Sequence, residues 1–68
     1  MNKKWPFLCL YKNDNEESLE VEKLLKENKI PYEPVERPVE HPELLSKDGD
    51  YVGLESIRGY INLLLNEY

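Results

Sequence analysis

A single cysteine, Cys9, rules out an internal disulfide and any zinc site built from several thiolates. Basic residues are scarce as well: nine Lys and Arg stand against 14 Asp and Glu, for a net charge of −5. Nucleic acid is thereby disfavoured as a partner, because binding by counterion release needs a basic stripe. Long apolar runs are also missing. The run from Phe7 to Tyr11 is too short for the core of a signal peptide or for a membrane span, so a cytoplasmic protein without membrane contact is expected. The 68 residues are enough for one domain, 1–68, with no repeat, low-complexity stretch or linker to divide it. A chain of this length buries only about 60% of its unfolded surface, so modest stability is expected.

What is present falls into six elements. Phe7-Leu8-Cys9-Leu10-Tyr11 is apolar throughout, as in a central strand covered on both faces. Asn13, Asp14 or Asn15 then offers a helix cap, and Asp14 with Glu17 has capping-box spacing. Val21, Leu24 and Leu25 form an apolar stripe, and Glu22 with Lys26 makes an i, i+4 pair on the other face. Asn28-Lys29 reads as the helix end, since Asn tolerates the left-handed cap and Pro31 follows soon after. Ile30 to Val35 reads as a second strand, moved to the sheet edge by Pro34. Leu44 to Lys47 and Asp50 to Val52 flank Asp48-Gly49, a type I′ hairpin signal. Ile57, Ile61, Leu64, Leu65 and Tyr68 mark a closing amphipathic helix that starts near Leu54 or Glu55.

The expected fold class is therefore α/β, in the order β-α-β-β-β-α. A parallel β-α-β unit followed by a hairpin on the free side of strand one gives a four-stranded mixed sheet ordered 2-1-3-4, with both helices on one face. The link from strand two to strand three must hop one strand, roughly 10 Å, which about six extended residues can span.

With that order in view, LCLYK…LLKENKIPYE resembles the opening of glutaredoxins, and HPELLSKDGDYVGLESIRGYI is similar to their closing half. DGDYVGLES also looks like the N-terminal domain of glutathione transferases. The likeness runs from Phe7 over nearly the whole chain and implies a minimal thioredoxin-like (glutaredoxin-like) fold. It further implies a cis-proline at His41-Pro42 and glutathione as the one small ligand to consider. By the same resemblance Lys12 would take the glycyl carboxylate of glutathione, and Glu55 with Ser56 its γ-glutamyl end. The backbone at His41-Pro42 would face the ligand, beside Asn15 and Ser18 at the active-site turn.

Two departures argue against the family's chemistry. Counted back from Leu24-Leu25, the Cys-x-x-Cys motif falls on Asn15-Glu16-Glu17-Ser18; counted from the front, the nucleophile position is Glu16. Neither is a thiol. A helix N-terminus lowers a cysteine pKa to roughly 3.5–7.5, whereas an amide or carboxylate gains nothing comparable there. The family's middle helix also has no room between strands two and three, which leaves one sheet face partly bare.

The sequence therefore points to a non-catalytic glutaredoxin-like binding module, with no catalytic and no metal-ligating residues, that contacts a protein partner or its own copy. Leu8 and Leu10 on one side of the first strand, with Tyr60 and Leu63 off the stripe of the last helix, are the expected contact residues. Cys9 is expected to be a small buried hydrophobe. The alternative is a glutathione binder or thiol-transferase-type enzyme that uses the cis-proline corner.

Overall fold

The computed structural model describes residues 7–67. In chain order the elements are β1 (Cys9–Lys12), α1 (Glu16–Glu27), β2 (Glu33–Glu36), β3 (Glu43–Ser46), β4 (Gly49–Val52) and α2 (Leu54–Glu67). The strands form one four-stranded sheet in the order β2-β1-β3-β4. β1 pairs parallel with β2 and antiparallel with β3, and β3 pairs antiparallel with β4. Element order and strand order both match the expectation. The second strand starts later than expected, at Glu33, and Pro34 does lie on an edge strand. Residues 37–42 make the hop past β1, beginning where the Arg37 N–H donates to the Lys12 carbonyl at 2.9 Å.

Alternation along the strands decides which face is covered. Leu8, Leu10 and Leu44 point inward and are almost fully buried. They share one cluster with Val21 and Leu25 of α1 and with Ile57, Tyr60, Ile61 and Leu64 of α2. Both helices therefore cover the same face, the one beneath Leu8 and Leu10. The expectation that these two leucines form a contact surface is corrected: they are the centre of the core.

Tyr60 is corrected in the same way. Its ring stacks on Tyr51 of β4, with centroids 4.3 Å apart and planes at 16°, and it is only 3% exposed. That contact rolls α2 toward β4, so the buried stripe is 57, 60, 61, 64, the i, i+3, i+4, i+7 set of an amphipathic helix. Leu65, expected in the stripe, is exposed, and Tyr68 lies outside the described residues.

Helix α1 is held at both ends. Asn15 is its N-cap, and its side-chain oxygen accepts from the Ser18 N–H at 2.8 Å. The Asp14–Glu17 capping box does not form, because Asp14 lies outside the cap and Glu17 turns toward α2. At the other end Ile30 N–H donates to Leu25 C=O at 2.9 Å and Lys29 N–H to Lys26 C=O at 3.1 Å, the two bonds of a Schellman motif. Asn28, the C-cap, keeps a negative φ of −93°. The left-handed position falls instead on Lys29, at φ 56°, where a Cβ is penalised. Lys29→Gly should therefore stabilise the fold by about 0.5–1 kcal/mol, read as a raised urea midpoint. An unchanged or lowered midpoint would contradict the left-handed assignment.

The β3–β4 hairpin forms, but not through a type I′ turn, which needs positive φ at both central residues. Lys47 and Asp48 are not among the positive-φ residues; the positive value, 135°, falls on Gly49. Ser46 Oγ organises the turn, accepting from Asp48 N–H at 3.1 Å and donating to Gly49 C=O at 2.9 Å.

Candidate functional site

Two helix N-termini and the 37–42 link meet at one corner, and Glu17 ties them together. One carboxylate oxygen lies 2.8 Å from His41 Nδ1, and the other accepts from the Leu54 N–H at 2.8 Å. Gly53, just before Leu54, has a φ of 90°, a backbone conformation that favours glycine. Its N–H donates to the Pro42 carbonyl at 2.8 Å. The link itself is pinned from the α1 side, where Asn13 Nδ2 donates to the Val39 carbonyl and Asn15 Nδ2 to the Glu40 carbonyl. None of these long-range contacts follows from local spacing.

The bridge holds Glu17 below its ordinary pKa, first through the His41 hydrogen bond and then through the Leu54 N–H. It holds His41 above its ordinary value, chiefly through the hydrogen bond that the imidazole donates to Glu17, with Glu40 adding a smaller push. The raised histidine contributes stability that is complete below its unfolded pKa of about 6.5 and lost as pH climbs through the folded value. The depressed glutamate contributes stability present above about 4.5 and lost as pH falls through its folded value. The corner is tightest between those limits. The ring of His41, the sole histidine, should titrate above 6.5 by NMR and fall back toward it in Glu17→Gln. A midpoint indifferent to that substitution would mean the bridge does not exist in solution.

The residues implied by the glutathione resemblance converge only in part. Lys12 is turned inward, its Nζ 3.2 Å from Glu22 Oε1, with both side chains only 13% exposed. Tyr32 OH donates to the other Glu22 oxygen at 2.8 Å. This network replaces the expected Glu22–Lys26 surface pair. Burial pushes the Glu22 carboxyl up, but the Tyr32 and Lys12 bonds outweigh it and hold the group below its ordinary value.

Ser18 is fully buried, exchanging hydrogen bonds with Asn13, and the Pro42 ring is buried too. No described peptide bond is cis, so His41-Pro42 is trans, the form favoured at most X-Pro bonds, and the expected cis-proline corner is corrected. Of the seven positions, Asn15, His41, Glu55 and Ser56 remain exposed. His41, Glu55 and Ser56 line one shallow hollow with Glu17, while Lys12 lines another with Arg37 and Pro38. Among the described residues no group of three or more His, Cys, Asp or Glu is placed to hold a metal ion.

Among the described residues, a different surface is left open. On the sheet face away from the helices the register aligns two rows: Glu33, Cys9, Leu45, Asp50, and above it Val35, Tyr11, Glu43, Val52. Phe7 is 72% exposed and Val52 52%. Phe7, Cys9 and Leu45 wall a hollow that Ser46 and Lys47 close, and the Arg37 guanidinium lies 4.8 Å from the centre of the Tyr11 ring. Cys9 is half-buried on this face and is not a core residue, which corrects its expected place. Leu63 is exposed as expected, but on α2, behind the opposite face of the sheet, so it does not extend this patch.

Among the described residues no helix is long and apolar enough to cross a membrane. Compared with protein-family models, with curated proteins and with solved structures, the chain matches none.

Proposed function

We propose that this chain is a glutaredoxin-like, thioredoxin-fold scaffold without thiol chemistry, working as a non-catalytic binding module through the open face of its sheet. The observation that carries this reading is that face itself: Phe7 and Val52 stand largely in solvent beside Cys9, Tyr11, Val35 and Leu45. Apolar side chains gathered on one exposed sheet face mark an interaction site more readily than apolar residues scattered singly.

The corner where the resembled enzymes hold their nucleophile supports the same reading. Asn15 caps the helix there, Ser18 is buried, and the Glu17 carboxylate occupies the N-terminus of α2. An incoming glutathione carboxylate would meet that fixed negative charge, with Glu16 and Glu55 nearby in the first turns of the two helices. The thiol of Cys9 lies at the first residue of β1, opposite Glu33 and at the far end of the strand from the start of α1, away from the helix N-terminus that would favour a thiolate.

Titrating glutathione into the 15N-labelled protein tests the reading. The amides of Glu55 and Ser56 should stay in place up to millimolar ligand. Saturable movement of those two signals would favour the glutathione-binding alternative.

A further inference from the structure

Resting on that binding-module reading, we infer that the occupant of the open sheet face is a cationic partner, an apolar ridge flanked by Lys or Arg, and not a second copy of this chain. The face is built as apolar ground between carboxylates. Glu33 and Asp50 close the two ends of one cross-strand row around Cys9 and Leu45, and Glu43 stands in the next row between Tyr11 and Val52. With strands about 4.8 Å apart, Glu33 and Asp50 stand roughly 14 Å from each other across three strand gaps. An α-helix about 10–12 Å across fits between them. The chain supplies its own example of the chemistry, because Arg37 already lays its guanidinium over Tyr11.

Self-association meets the opposite balance. Two such faces would set three carboxylates against three more, on chains that each carry −5. Arg37 and Lys47 compensate only in part. Like charges brought together across an interface are costly, while opposite charges steer encounter and fix register. A partner with a basic rim satisfies Glu33, Glu43 and Asp50 at once.

The test uses two amphipathic helical peptides, one of leucine and lysine and one of leucine and glutamate, added to methyl-labelled protein at low and at physiological salt. The lysine peptide should shift the methyls of Val35, Leu45 and Val52, leave Leu19 and Leu63 on the helices unmoved, and weaken with salt. Glu33→Lys with Asp50→Lys, both at exposed positions, should weaken that peptide about tenfold or more and admit the glutamate peptide. Equal binding of both peptides at this face, or a dimer closed through it, overturns the cationic partner and leaves the binding module standing. Shifts centred on Leu19 and Leu63, or no response of the sheet methyls to either peptide in a monomeric protein, overturns both.

Discussion

Leu10→Ala should cost about 2–5 kcal/mol, out of a total that for a chain of this size is on the order of 3–10 kcal/mol. Leu10 is 0% exposed at the centre of the sheet, packed among residues of both helices. Truncation leaves a cavity that neither the paired strands nor the docked helices can close without giving up other contacts. Phe7→Ala, three residues earlier on the opposite face and 72% exposed, should cost about 0.5 kcal/mol or less. Urea unfolding followed by circular dichroism compares the two. A phenylalanine variant as damaged as the leucine variant would mean that the outer face is covered after all.

Lys12→Met should cost about 2–3 kcal/mol, because it strips the charge partner from a Glu22 carboxylate that is only 13% exposed. The Tyr32 hydroxyl still donates to that carboxylate, so the loss stays below that of a fully unpaired buried charge. Adding Glu22→Leu to the Lys12→Met chain should recover part of the loss, since no lone charge then remains inside. The pH dependence has a fixed sign. Glu22 is held below its ordinary 4.5, so its contribution is present above that value and is lost as pH falls through the lower folded value. Without Lys12 the acid limb of the stability curve should flatten. Additive losses in the double variant, with an unchanged acid limb, would show that the two side chains are not coupled.

The topology was legible because local signals and long-range packing agree on it. The apolar Phe7–Tyr11 run, Pro34 on an edge, the Asp48-Gly49 turn region and the spacing of Ile57, Ile61 and Leu64 all appear in the observed sheet and helices. Which face of β1 the helices cover was not legible. A continuous apolar strand offers both faces equally, and Leu8 and Leu10 are chemically little different from Phe7 and Tyr11 as candidates. Tyr60 misled for a related reason: its stacking on Tyr51, nine residues away and on another element, sets the roll of α2.

The corner was harder still. Glu17 finds His41 and the Leu54 amide across 24 and 37 residues, while its own helix offered a plausible capping role. Likewise Glu22 has a lysine four residues on, yet takes Lys12 and Tyr32 from the neighbouring strand and loop. A buried partner outweighs an i, i+4 surface pair of about 0.3–0.5 kcal/mol. The absence of a thiol at residues 15–18, by contrast, needs no coordinates: it is read directly from Asn-Glu-Glu-Ser.

Thiol–disulfide exchange against a glutathione mixed disulfide tests most directly whether this molecule acts by contact alone. The intact protein and Cys9→Ser should both leave the rate at that of the protein-free blank. Turnover by the intact protein that vanishes in Cys9→Ser would place chemistry on the sheet face assigned here to binding, and would contradict the account.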